Sequence, residues 1–216
     1  LENSRDYYAP TEGQLPDDAK LRAATGTMIS ELLALRVAPA IDPYTGPAIL
    51  EADAAGVLFH EAVGHRLEGE RQSGDAEGKT FRGQVGKQVL PAFLSIYDDP
   101  TLRERKSVAL NGYYLFDEEG VRAARVPLVE NGILRNYLLS RRPIEGFAQS
   151  NGHGRSQGNR KPVARMANLL VESKKTVSEP ELKKLLIAEA KRQGKPYGLV
   201  IRDITGGNTN TSTFGY

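Results

Sequence analysis

Residues 56–70, GVLFHEAVGHRLEGE, place two of the chain's three histidines five positions apart with a glutamate directly after the first. The apolar lead-in Gly-Val-Leu-Phe carries a helix inward, toward a region where His60, Glu61 and His65 would be costly to bury without a task. That context favours a functional reading of the stretch, but the pattern alone goes no further.

The spacing itself is unusual. Neutral imidazoles are common zinc ligands, and a carboxylate beside the metal can take a proton from water. The familiar arrangement is His-Glu-x-x-His, because residues four apart share a helical face. A step of five opens the angle to about 140° in a regular helix. One residue taken up as a π-bulge would restore the shared face, and Gly64, with no Cβ, is suited to that distortion. The plain alternative is two partly buried helical histidines and a surface glutamate.

The chain around this stretch is ordinary in charge and length. Its 216 residues are enough for one domain, or one and a fraction, with a real core. Twenty-nine Lys and Arg against 27 Asp and Glu give a net charge of +2, which argues against nucleic acid or membrane as the main partner. There is no cysteine, hence no disulfide framework and no thiolate ligand, which fits a reducing compartment. No apolar run approaches the roughly 20 residues that span a bilayer. The start at Leu1 is polar, with no signal-peptide core, and reads as a processed chain or a piece of a longer one. A cytoplasmic location is expected.

Along the sequence, residues 1–18 read as an arm, and Asp17 to Val37 as a helix with Leu21, Met28, Leu32, Leu33 and Leu35 at helical spacing. A short strand at Ala48 to Glu51 leads into the motif helix. Residues 72–88, rich in Gly, read as an exposed loop, and AFLSIYDDP as a buried strand ending in a turn. Asn131-Gly132 lies between two β-rich runs and supplies the positive φ angles of a tight hairpin. From Arg141 to Arg165 a long basic loop carries six cationic residues and too much Gly and Asn for regular structure. It has neither a recognition helix nor interleaved aromatics, so a nucleic-acid role finds little support. Ser178 and Glu181 form a capping-box pattern for a helix running to Gly194, and GLVIRDI closes the chain as a strand before a polar tail. The expected class is α+β, a largely antiparallel curved sheet with packed helices and the motif on a distorted one.

Taken together, GVLFHEAVGHRLEGE, GQVGKQV, YDDPTL, LVENGILRNYLLSRR, NGHGR and ARMANL, in that order, resemble the TldD/PmbA family of zinc metallopeptidases, also called modulators of DNA gyrase, in its TldD type. The resemblance runs from about Ala48 to about Val171. It implies that residues 48–216 are the C-terminal metallopeptidase domain, shortened at its end, and that residues 1–47 are a remnant of, or linker from, a preceding domain. It further implies His60 and His65 as zinc ligands, Glu61 as general base, and Glu68 as a residue orienting a histidine. The expected partners are a peptide substrate and a related subunit in a homo- or heterodimer.

The family's third ligand is usually a cysteine, which this sequence lacks, so zinc is expected to be weakly held or absent in the chain as given. His153 reads as a solvated loop residue before it reads as a substitute ligand. The resemblance suggests that the NGHGR loop lies near the cleft, where Arg155 would meet a peptide carboxylate or carbonyl. Two functions follow: a peptidase for extended or unfolded peptides, or a non-catalytic subunit of such a complex.

Overall fold

Asp17 opens the first helix, α1 (Asp18–Val37), where its Oδ1 accepts the Lys20 amide at 2.8 Å, a role to which a short carboxylate is suited. The helix closes at Ala38, next to Pro39, which disfavours helical backbone in the residue before it. The computed structural model describes residues 3–73 and 79–204. After α1 come β1 (Ala48–Leu50), α2 (Ala52–Ala62), the short α3 (Glu70–Ser73), β2 (Leu94–Asp98), β3 (Glu104–Arg105), β4 (Val108–Ala109), β5 (Val126–Glu130) and β6 (Ile133–Leu134). They are followed by β7 (Gly154–Arg155), β8 (Val163–Ala164), β9 (Leu169–Ser173), α4 (Glu179–Arg192) and β10 (Leu199–Ile201). The polar tail expected after Ile204 falls outside the described residues, as does part of the Gly-rich loop.

Two compact units emerge, one bounded by Leu1–Thr45 and Glu104–Asn111, the other by Gly46–Arg103 and Gly112–Tyr216. The first contains α1 and the β3–β4 hairpin, whose turn residues Lys106 and Ser107 take positive φ of 49° and 63°. No side chain of α1 is buried. Of the apolar positions read from its period, Met28 and Leu32 are half-buried, while Leu21, Leu33 and Leu35 stay exposed.

The second unit is built on an antiparallel four-stranded sheet in the order β6-β5-β2-β9. Asn131 and Gly132, at φ 50° and 80°, form the β5–β6 turn, as the dipeptide dictates. Ile96, Leu128, Val129 and Leu134 are fully buried in the sheet and pack with Leu67 and Leu138. Each such side chain contributes about 1.5–3 kcal/mol by leaving water. Beside the sheet, β1 pairs in parallel with β10. Ser178 caps α4 by accepting the Glu181 amide; that helix stops at Arg192, two residues before Gly194, whose φ is 65°.

Two expectations are corrected. The basic segment 141–165 is not wholly irregular, because β7 and β8 pair within it, Gly154 against Ala164 and Arg155 against Val163. His153, expected in solvent, is fully buried. The reason is a distant acid, Asp98 at the end of β2, which meets the ring and offers it a partner. The Gly-rich excursion is exposed over most of its described residues, as expected, but anchored at Phe81, which is buried and whose carbonyl accepts the Tyr137 hydroxyl at 2.6 Å.

Candidate metal centre

The motif helix does not absorb its extra residue as a π-bulge. α2 ends at Ala62, Val63 leaves the helical region at φ −124° and ψ −53°, and a 3-10 turn, Gly64–Leu67, carries His65. Arg66, only 8% exposed, donates from Nη1 to the Glu61 carbonyl at 2.7 Å and from Nε to Thr80 Oγ1 at 3.1 Å. It thereby ties the 3-10 turn back to the last turn of the helix. Gly64 is closely packed: a Cβ there would collide with the Met166 sulfur and crowd Leu169, so those side chains would have to shift. The change of helix type brings the two imidazoles together with centroids 4.6 Å apart and planes at 79°.

His60, Glu61 and His65 each offer a ligand atom, and these atoms lie within 4.8 Å of one another. Two donors bound to zinc at about 2.0–2.1 Å cannot be more than about 4 Å apart, so small rotamer changes are all the most distant pair would need. Glu61 Oε1 lies 3.8 Å from His60 Nε2.

Behind His65 sits Glu68, 1% exposed. Its Oε1 is 2.9 Å from His65 Nδ1, while its Oε2 accepts Arg71 Nε at 2.6 Å and Arg165 Nη1 at 2.7 Å. Burial alone would raise the Glu68 pKa, but the hydrogen bonds from His65, Arg165 and Arg71 prevail and hold it below the usual carboxylate value. An ionised carboxylate only accepts, so Nδ1 of His65 carries a proton and Nε2 is the ring atom left for a metal. Burial, followed by the neighbouring His65, pushes the His60 pKa down against the opposing pull of Glu61 and Glu68. The His60 ring, still half exposed, is thus favoured in the neutral form a metal ligand needs. Two imidazoles, the second oriented from behind by Glu68, fit zinc by their donor chemistry, with the Glu61 carboxylate beside them.

Two further features adjoin the cluster. A groove of about 590 Å³, lined among others by Ala55, Gly56, Phe59, His60, Met166 and Leu169, runs between α2 and the start of β9. The segment entering β9 is pinned by its backbone: Ala164 N donates to Glu70 Oε2 at 2.8 Å, Arg165 N to the His153 carbonyl at 3.0 Å, and Ala167 N and Asn168 N to the Asp98 carboxylate.

Arg155 is held differently. Its Nε donates to Glu118 Oε1 at 3.3 Å and its guanidinium lies over the Tyr114 ring at 4.5 Å. Burial raises the pKa of that tyrosine, whose hydroxyl donates to the Gly152 carbonyl at 2.8 Å. Arg165, by contrast, joins the cluster through Glu68, although its sequence gives no sign of this beyond membership of a basic run.

A mixed helix and strand domain with an antiparallel sheet, bearing a His-Glu-His cluster backed by a buried glutamate, defines the class. The family follows from comparison: the chain belongs to the PmbA/TldD family, the model of the PmbA/TldA metallopeptidase C-terminal domain matching residues 43–216. It is 34% identical over 137 residues to a metalloprotease of Archaeoglobus fulgidus, covering 62% of this chain and 30% of that protein. It is 32% identical over 124 residues to a zinc metalloprotease TldD homolog of Saccharolobus solfataricus, covering 56% and 26%. Among solved structures, TldE of Thermococcus kodakarensis superposes with a TM-score of 0.57 at 19% identity, covering 85% of this chain and 39% of that one, a likeness of fold. The chain spans less than a third of the length of both relatives. Among the described residues, no helix is long and apolar enough to cross a membrane.

Proposed function

We propose that the chain carries the zinc centre of a peptidase acting on extended or unfolded peptides, with His60 and His65 as ligands and Glu61 as the base. The observation that carries this reading is the convergence of His60, Glu61 and His65 within 4.8 Å across a break in the helix. Their family membership supports it, since relatives are named metalloproteases.

Zinc, when bound, supplies Lewis acidity, polarising a carbonyl oxygen and acidifying water. The protein's own groups do the rest. His60 and His65 would hold the ion, and Glu68 fixes the His65 ring through Nδ1, which leaves Nε2 for the metal. Glu61 accepts the proton of the attacking water on its carboxylate and passes it to the amine nitrogen that leaves as the peptide bond breaks. The groove beside His60 would receive the chain of the substrate in an extended form, its apolar walls displacing water. A third ligand and a related subunit as partner, both implied by the resemblance, belong to the same proposal.

The test is Glu61→Gln. It removes the base and keeps the shape, so hydrolysis of an unfolded peptide by the full chain should be lost while zinc uptake persists. Equal cleavage by wild type and variant would remove Glu61 from the role. If instead neither chain cleaves peptide nor takes up zinc, the reading as a non-catalytic subunit is favoured.

A further inference from the structure

Arg165 is anchored at one end and open at the other. Its Nη1 donates at 2.7 Å to Glu68 Oε2, an atom of a carboxylate whose side chain is 2% exposed, while the arginine side chain itself is 45% exposed. The backbone around it is fixed, since Ala164 N, Arg165 N and Ala167 N are each bonded to a separate element of the fold. The side chain therefore loses little further freedom when it meets a ligand.

With Nη1 engaged, the remaining edge of the guanidinium consists of Nε–H and Nη2–H. These two donors are parallel, and neither has an acceptor among the described residues. Their spacing matches the two oxygens of a carboxylate, the geometry of a bidentate fork. Charge points the same way: Glu68 brings one negative charge to two guanidiniums, those of Arg71 and Arg165. Met166 and Ala167, the next two residues, line the same groove as His60.

We propose that Arg165 is a binding residue for a carboxylate of the substrate, gripping it through the Nε–Nη2 edge beside the His60–Glu61–His65 cluster. The inference rests on the peptidase reading and narrows its substrate to peptides that present a carboxylate near the cleaved bond. That group is either the free α-carboxylate of the C-terminus or an acidic side chain.

The test measures binding to the metal-free full chain, so that it does not depend on hydrolysis. Fluorescence anisotropy would compare a labelled peptide as its free acid and as its C-terminal amide, and two amides that differ by Asp for Asn. Wild type should bind one carboxylate form about 10- to 100-fold more tightly than its neutral counterpart, the range expected for a charge-assisted pair. A preference within the first pair identifies the C-terminus, and within the second an acidic side chain. Arg165→Met should erase the preference. Arg165→Lys, which can keep the bond to Glu68 but offers no fork, should keep only a small part of it. Arg142→Met, on the exposed surface, should leave it in place.

The wild-type comparison needs no variant, so a folding defect cannot obscure the answer. Equal binding of every carboxylate and neutral pair by wild type would overturn the proposal, as would a preference that survives Arg165→Met. Failure of the peptidase reading appears separately, in the zinc and Glu61→Gln experiments, and leaves the binding result readable.

Discussion

Asp98 and His153 face each other inside the protein, Oδ1 to Nε2 at 3.2 Å, and neither side chain exposes any surface. The pair links two segments that matter to the site. Asp98 also accepts the amides of Ala167 and Asn168, and the His153 carbonyl accepts the amide of Arg165.

Removing the acid should therefore cost far more than a surface contact. Asp98→Ala leaves a buried ring and two backbone N–H groups without their partner, and stability measured by chemical denaturation should fall by about 3–5 kcal/mol. A loss below 1 kcal/mol would show that the pair is not structural.

Gly64→Ala tests the close approach at the helix break. The new Cβ would strike the Met166 sulfur and crowd Leu169, so either the 3-10 turn or the segment entering β9 must shift. A destabilisation of about 1–3 kcal/mol, typical of overpacking, is expected together with weaker zinc binding. Unchanged stability and unchanged zinc affinity would mean that Met166 moves aside freely.

Glu68 gives a pH dependence with a definite sign. Its carboxyl is held below the ordinary value of 4.5 in the folded, metal-free protein, by hydrogen bonds from His65, Arg165 and Arg71 that outweigh burial. The unfolded chain therefore takes up this proton first as pH falls. The contribution is full above about pH 4.5 and drains away as pH drops through the lower folded-state value. Glu68→Gln should lower stability near neutrality and flatten the acid limb of the stability curve. The same slope in variant and wild type between pH 5 and 2, about the range where such carboxyls titrate, would contradict the assignment.

Much of the local structure could be read from sequence. The Asn131-Gly132 turn and the Ser178 cap act within four residues of their partners, so the order of residues specifies them directly. The pairing of His60, Glu61 and His65 was also visible as a pattern, but its geometry was not. A π-bulge and a switch to a 3-10 turn both repair a five-residue step, and the choice depends on Arg66 reaching back to the Glu61 carbonyl and on Met166 packing over Gly64.

What stayed hidden rests on contacts between distant positions. His153 looks solvated between two glycines until Asp98, 55 residues earlier, is brought against it. Arg165 is one cation of six in its segment until Glu68, 97 residues earlier, takes its Nη1. No periodicity or spacing encodes such pairs, which the sheet and the helix break create together.

The central claim is that His60 and His65 hold one metal ion between them. Zinc titration of the full chain near neutral pH, read by elemental analysis after gel filtration, tests it most directly. On the order of one zinc per chain at saturation is expected, with marked loss in both His60→Ala and His65→Ala. Zinc uptake indifferent to either substitution, or no uptake by wild type at saturating zinc, would contradict it.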